Sequence, residues 1–343
     1  MHELFQEYTI KNLKLKNRIV MAPMCMYCAP ETGIVTDWHV LHYATRAVGG
    51  VGLIMQEATA VSPEGRISAA DLGIWDDEHI AGLASIVKAV HDNGAKMGIQ
   101  LNHAGRKCEA KGMDIEAPSA IPYTEGNPAP RAMTKNDIEQ TVREFQEAAI
   151  RANKAGYDLI QIHAAHGYLL NEFLSPLTNH RQDEYGGSYE NRVRLLDEVL
   201  TAIRAVWPEE KPLEVRITAE DYDEKGNHAC DLAEMLNLIK NKGIDSVNVS
   251  TGGIISVIPD TFPGYQLPQA KLIKSMTGLP VAAGGLLSDP AHINSILAVG
   301  NADQIYLGRE LLRNPYWVLH ASSKLDYDLA WPEQYKRANP RKK

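Results

Sequence analysis

Short runs rich in valine and isoleucine alternate along the chain with longer stretches in which apolar positions recur at helical spacing. Eight such pairs can be traced. The spacing predicts strands over residues 19–24, 52–58, 95–102, 157–163, 213–218, 246–250, 280–283 and 303–307. The helices that follow them are expected over 38–48, 77–93, 135–155, 190–206, 231–242, 268–276, 290–299 and 309–319. Several boundaries carry a local chemical signal. Thr134 precedes KNDIEQTVREF and can cap that helix, with Asp137 as the acidic partner three residues on. Gly94, Gly156, Gly243 and Gly278 each follow a helical run, where a left-handed residue ends a helix. Asp289-Pro290 reads as a cap followed by proline in the first turn.

Eight β–α pairs with no compositional break point to one (β/α)₈ barrel domain over residues 1–343. The competing arrangement, a doubly wound open sheet, should place Gly-x-Gly-x-x-Gly after its first strand. MCMYCAPETG stands there instead. Two loops exceed the usual length, about 103–133 after the third strand and about 165–189 after the fourth. Both leave the C-terminal ends of strands, where barrels of this kind build their active sites.

The chain has 343 residues, 44% hydrophobic and 23% charged, enough to bury a large core. A formal net charge of −8 gives no footprint for nucleic acid. The N-terminus has no apolar signal core, and no apolar run approaches the roughly 20 residues that span a bilayer, so a cytoplasmic location is expected. Of the four cysteines, Cys25 and Cys28 form a Cys-x-x-Cys pair without a second one, while Cys108 and Cys230 stand alone. Neither a disulfide framework nor a metal site is expected from that pattern.

The barrel directs attention to the strand ends. Pro23, Met24 and Cys25 close the first, Ala58 the second, and Gln100 lies at the end of the third. His163 closes the fourth, and a turn at Gly167 would bring His166 and Tyr168 back beside it. Two neutral imidazoles there can donate to one substrate oxygen while the phenol delivers a proton. Arg216, inside the fifth strand, needs an anion, a polar ring edge or a carboxylate partner. Gly284-Gly285 and Gly308-Arg309 follow the seventh and eighth strands, the usual phosphate site of this fold, where close backbone approach and a guanidinium suit an anion. Cys25 reads either as a small buried hydrophobe or as a thiol beside a redox group.

The segments NRIVMAPMCMY, QLNHAGRK, IQIHAAHGYLLNEFLSPLTNHRQDEYGGSYENR and IYLGRELLRNP carry a resemblance that covers nearly the whole chain. In them the sequence resembles the old yellow enzyme family of FMN-dependent ene-reductases, in its short bacterial NADPH dehydrogenase, thermophilic-like form. The resemblance implies bound FMN and a visiting NADPH, with NADH as a second reductant. It also implies ping-pong hydride transfer to α,β-unsaturated aldehydes, ketones, maleimides and nitro compounds. It places Ala22, Pro23, Met24 and Cys25 along the flavin, Ala58 and Gln100 on its ring, and Arg216 at its N1/C2-oxygen edge. Gly284, Gly285, Gly308 and Arg309 would hold its phosphate.

By the same resemblance His163 and His166 would bind the substrate oxygen, Tyr27 would help bind the substrate, Lys107 would line the mouth, and Tyr168 would donate the proton. The tail, about 321–343, would reach a neighbouring subunit through Arg337 in a homodimer or homotetramer. Two positions depart from the family. Ala22 stands where serine or threonine is common, and ANPRKK follows Arg337 where an aromatic residue often ends the chain. A flavoprotein electron carrier without alkene reduction, and a flavin-free lyase or aldolase barrel, are the other readings of the same residues.

Overall fold

The computed structural model describes residues 2–340. Eight parallel strands close into a barrel: β1 Ile19–Met21, β2 Leu53–Ala60, β3 Lys96–Asn102, β4 Leu159–Ala164, β5 Leu213–Thr218, β6 Ser246–Ser250, β7 Val281–Ala283 and β8 Gln304–Leu307. β8 pairs with β1 and so shuts the ring. The outer helices are α1 Asp37–Val48, α2 His79–Asp92, α3 Lys135–Ala155, α4 Arg194–Arg204, α5 Ala229–Ile239, α6 Leu267–Thr277, α7 Pro290–Ala298 and α8 Trp317–Lys324. The large apolar layer lies between strands and helices, with Ile54, Ile99, Ile160, Val215 and Val247 facing Leu83, Phe145 and Leu196.

The predicted boundaries hold where a cap marks them. Asp137 N–H donates to Thr134 Oγ1 at 3.3 Å, and Thr134 N–H donates to the Asp137 carboxylate at 2.7 Å. Gly94, Gly156, Gly243 and Gly278 all have positive φ. Asp289 accepts the His292 N–H at 3.0 Å with Pro290 in the first turn.

The differences also have causes. β1 stops at Met21, so residues 22–24 lie beyond the strand and line a cavity at the strand ends. The helix expected over 309–319 is broken into Arg309–Arg313 and α8, because Pro315 forces Asn314 out of helical geometry, to φ −133° and ψ 86°. The stretch 190–206 forms a turn at Tyr189–Arg192 and then α4.

An antiparallel hairpin, Tyr8–Ile10 with Leu13–Leu15, precedes the barrel and is too short to leave a periodic signature. Its Leu13 and Leu15 pack with Val20, Leu53 and Leu159 at the strand starts and plug the N-terminal end. Function is thereby left to the C-terminal end. Halfway up, the interior is polar. Gln100 Nε2 donates to Gln161 Oε1 at 2.6 Å, Gln161 Nε2 to Glu214 Oε1 at 2.5 Å, and Ser246 Oγ to Glu214 Oε2 at 3.1 Å. These four residues lie in register across β3, β4, β5 and β6.

Candidate active site

His163 on β4 is the direct register partner of Arg216 on β5, so the strand pairing alone sets them side by side. Past Ala164 the chain reverses through His166 at φ +59° and Gly167 at φ +73°. That turn returns the His166 ring to within 5.1 Å of the His163 ring and brings Tyr168 to 4.9 Å from it, both edge-on. Hydrogen bonds fix the turn: His166 N–H to Thr218 Oγ1 at 2.8 Å, and Gly167 N–H to Asn171 Oδ1 at 2.8 Å.

The protonation states follow from burial. Ala165 N–H donates to His163 Nδ1 at 3.2 Å, so the ring proton of His163 sits on Nε2. Burial, with the nearby Arg216 and Lys107 charges, holds both imidazoles well below their ordinary range. They are neutral N–H donors at pH 7. His166 Nε2 shares a 2.7 Å bond with Ser250 Oγ, which leaves Nδ1 for a ligand. Burial pushes the Tyr168 phenol up, so it keeps its proton.

Lys107 binds the His166 carbonyl at 2.9 Å and the Gly253 carbonyl at 3.3 Å, with its ammonium 5.2 Å from the centre of the Tyr168 ring. Burial lowers its pKa to about 8. Cys25 packs with Ala58 and Tyr168. Burial raises its thiol, with a hydrogen bond to Tyr27 opposing, and Tyr27 stands half exposed at φ +50°.

Beside this cluster a cavity of about 270 Å³ is lined by Ala22, Pro23 and Met24 after β1, by Gly285 after β7, and by Gly308 and Arg309 after β8. Arg216 lines it as well. Its Nε has no partner, and it lies over the Tyr306 ring rather than in an ion pair. A buried guanidinium with an unpartnered Nε in the cavity lining suits an electron-rich heterocycle edge, and the glycine turns with Arg309 suit a phosphate. Ala58 and Gln100 are register partners on β2 and β3.

Of the expected flavin contacts, Cys25, Ala58, Gln100 and Gly284 are not in the lining of this cavity, and neither is Arg337. A Cβ on Gly284 would come within 2.2 Å of the Tyr306 ring, so its lack of a side chain serves packing. Arg337 is exposed on the tail, in the turn Glu333–Ala338, and does not line the cavity of its own chain.

Ser250, Gln266 and Arg313 also line the cavity and were not singled out from the sequence. Arg313 could have been found, since it stands one helical turn beyond Arg309. Among the described residues no group of three or more His, Cys, Asp or Glu is placed to hold a metal ion, and no helix is long and apolar enough to cross a membrane.

Residues 3–328 match the NADH:flavin oxidoreductase / NADH oxidase family. The chain belongs to this family. It is accordingly an FMN-dependent oxidoreductase that draws on a nicotinamide nucleotide. Among curated relatives, an NADPH dehydrogenase of Geobacillus thermodenitrificans is 53% identical over 335 residues, 97% of this chain and 98% of that protein. Among solved structures, morphinone reductase superposes with a TM-score of 0.81 at 28% identity, covering 97% of this chain and 92% of that one. The old yellow enzyme homologue from Zymomonas mobilis gives 0.78 at 29% identity, covering 98% and 99%. The strand-end cavity, with the unpartnered Nε of Arg216 and the turns at Gly285 and Gly308, has a chemistry that fits an FMN cofactor.

Proposed function

We propose that this flavoenzyme is an NADPH-dependent ene-reductase acting on alkenes conjugated to a carbonyl or nitro group. The observation that carries the reading is the set of three rings, His163, His166 and Tyr168, gathered at the end of β4 beside Arg216.

Ala22, Pro23, Met24, Cys25, Ala58 and Gln100 would bear on the flavin ring, Arg216 on its electron-rich edge, and Gly285, Gly308 and Arg309 on its phosphate. Gly284 would contribute backbone only. FMN, when bound, supplies the two-electron relay between NADPH and the alkene. The protein supplies position and charge. His163 Nε2–H and the free nitrogen of His166 hold the carbonyl or nitro oxygen and draw electron density from the β-carbon. Tyr168, kept protonated by burial, gives its proton to the α-carbon, and the Lys107 ammonium beside its ring stabilises the phenolate left behind. Tyr27 closes the outer wall. Arg337, free of its own cavity, serves the mouth of a neighbouring subunit in a homodimer or homotetramer.

Anaerobic mixing with NADPH followed by 2-cyclohexenone tests the reading. Flavin bleaching by NADPH and its return on adding the enone support it. Bleaching without return favours an electron carrier.

A further inference from the structure

The register of β2 on β3 slips between Gln56 and Ala58, which makes Glu57 the extra residue of a bulge. Bulges re-aim a side chain, and this one sends a carboxylate toward the segment after β1. Glu57 is 1% exposed. Its Oε2 accepts the Met26 N–H at 2.7 Å, and its Oε1 accepts the Tyr43 hydroxyl at 3.0 Å. Tyr43 Oη in turn accepts the backbone N–H of Glu57 at 2.9 Å. His39 Nε2 stands 3.8 Å from Oε1 and 3.4 Å from Cys28 Sγ. Thr36 N–H donates to His39 Nδ1 at 3.0 Å, so that ring is neutral with its proton on Nε2.

Met26 lies between Cys25 and Tyr27. Ala22 N–H is bonded to Leu307 and Ala29 N–H to Ala70, and between these anchors Glu57 holds the backbone at Met26. The hold matters because Tyr27 is kept at φ +50°, a conformation a tyrosine adopts only when its surroundings enforce it.

We propose that Glu57 is a positioning residue: as a carboxylate it fixes the Cys25–Tyr27 segment against flavin and substrate, and one proton on it releases that segment. The inference rests on the reading that Cys25 and Tyr27 face those two groups. Protonation turns a charge-assisted bond to Met26 N–H into a neutral one of roughly half the strength. Burial pushes Glu57 up to about 7, opposed by the Met26 and Tyr43 hydrogen bonds and assisted by the Asp71 charge. The groups facing it are His39 and Tyr43 from α1, Cys25, Met26 and Cys28 from the loop after β1, and the charge of Asp71, whose own carboxyl is raised by burial. His39 is held below its ordinary range, while the Tyr43 hydroxyl and the Cys28 thiol are pushed above theirs, all mainly by burial. Glu57 is therefore the member of the group that changes charge near neutrality.

The test compares wild type and Glu57→Gln as holoenzymes between pH 5.5 and 8.5. It reads the flavin absorption spectrum, the KM for 2-cyclohexenone, and FMN affinity by titration of the apoprotein. In wild type the spectrum should shift and KM should fall several-fold as pH rises through about 7. In Glu57→Gln both should be flat with pH, and Glu57→Asp should restore a titration. The same pH dependence in Glu57→Gln as in wild type overturns the proposal.

Should Glu57→Gln fail to fold, Tyr43→Phe removes one stabilising donor and should move the apparent pKa upward. An unmoved pKa there also overturns it. Cys25→Ala and Tyr27→Phe separate the two layers of the argument. If they leave both the flavin spectrum and the enone KM unchanged, the site reading fails and the proposal falls with it. If they change them while Glu57→Gln keeps the wild-type profile, the role of Glu57 alone fails.

Discussion

The guanidinium of Arg216 lies 5.4 Å from the centre of the Tyr306 ring, and its Nε has no hydrogen-bond partner. A ring beneath a cation contributes on the order of 0.5–2 kcal/mol, less than the several kcal/mol that burying a charge costs. The charge is thus costly to the apoprotein and useful to a ligand in the cavity. Arg216→Met should weaken FMN binding by about 10- to 100-fold, the loss of a charge-assisted contact worth roughly 1.5–3 kcal/mol. The apoprotein should melt no lower than wild type, since an apolar side chain of similar length removes the desolvation cost. Fluorescence titration of apoprotein with FMN and thermal melts of both proteins check the two halves. Unchanged FMN affinity would remove Arg216 from the flavin site.

Tyr168 separates the two halves of the proposed cycle. Its hydroxyl is needed when the alkene takes up a proton, and not when NADPH delivers electrons. Tyr168→Phe should slow the alkene half-reaction by about 10²- to 10⁴-fold, the usual weight of a positioned acid. Reduction of the flavin by NADPH should stay within a few-fold of wild type. Stopped-flow measurement of each half-reaction reads this directly. Equal slowing of both halves would take the proton-donor role away from Tyr168.

What the sequence disclosed, and what it withheld, divides along physical lines. Thr134, Asp289 and the glycines at 94, 156 and 278 are local chemistry, and the boundaries they mark stand as expected, while Gly243 ends a 3-10 turn that follows α5. His163, Arg216 and Arg309 were legible because a parallel barrel brings its strand ends together whatever the loops do. Ser250, which binds His166 across 84 residues, has no local signal at all. Nor does the bulge at Glu57. β2 is buried on both faces along its length, so no alternation exists for a one-residue slip to interrupt. At Gly284 the sequence shows a turn glycine but not the Tyr306 ring, on the next strand but 22 residues away, that a Cβ there would meet. Pro315 was a legible break that the helical spacing around it masked.

The neutral histidines give a stability signature. A histidine whose folded pKa lies below its unfolded value costs nothing above that value, where both states are neutral. Stability is lost as pH falls below about 6.5, where the unfolded chain takes up the proton first. His163 and His166 should each cost up to about 2 kcal/mol between pH 7 and pH 5. Burial also lowers His103, to about 4, so it adds to the same slope. Glu57 and Glu172, raised to about 7 and about 8, act in the opposite direction. Replacing both site histidines with asparagine isolates their share. The double variant should lose less stability than wild type between pH 7 and pH 5 in urea unfolding, and equal losses would mean these imidazoles are charged in the folded protein.

Gly167 tests whether the histidine turn is set by its neighbour after β6. It sits at φ +73°, and a Cβ there would lie 2.2 Å from the Gly253 carbonyl oxygen. The contact is reciprocal, since a Cβ on Gly253 would come within 2.8 Å of His166 Cα. Lys107 bridges the same two loops through their carbonyls. Backbone therefore meets backbone, with no flexible side chain to yield. Gly167→Ala carries both a positive-φ penalty and this overlap, so it should destabilise by more than about 1 kcal/mol. It should also push His166 and Tyr168 out of line with His163. The phosphate end proposed for the flavin, after β7 and β8, lies outside the clash. FMN affinity should then stay near wild type while the KM for the enone rises at least several-fold and kcat falls. A folded Gly167→Ala enzyme with wild-type enone kinetics would show that the two loops move independently and that the ring cluster does not need this contact.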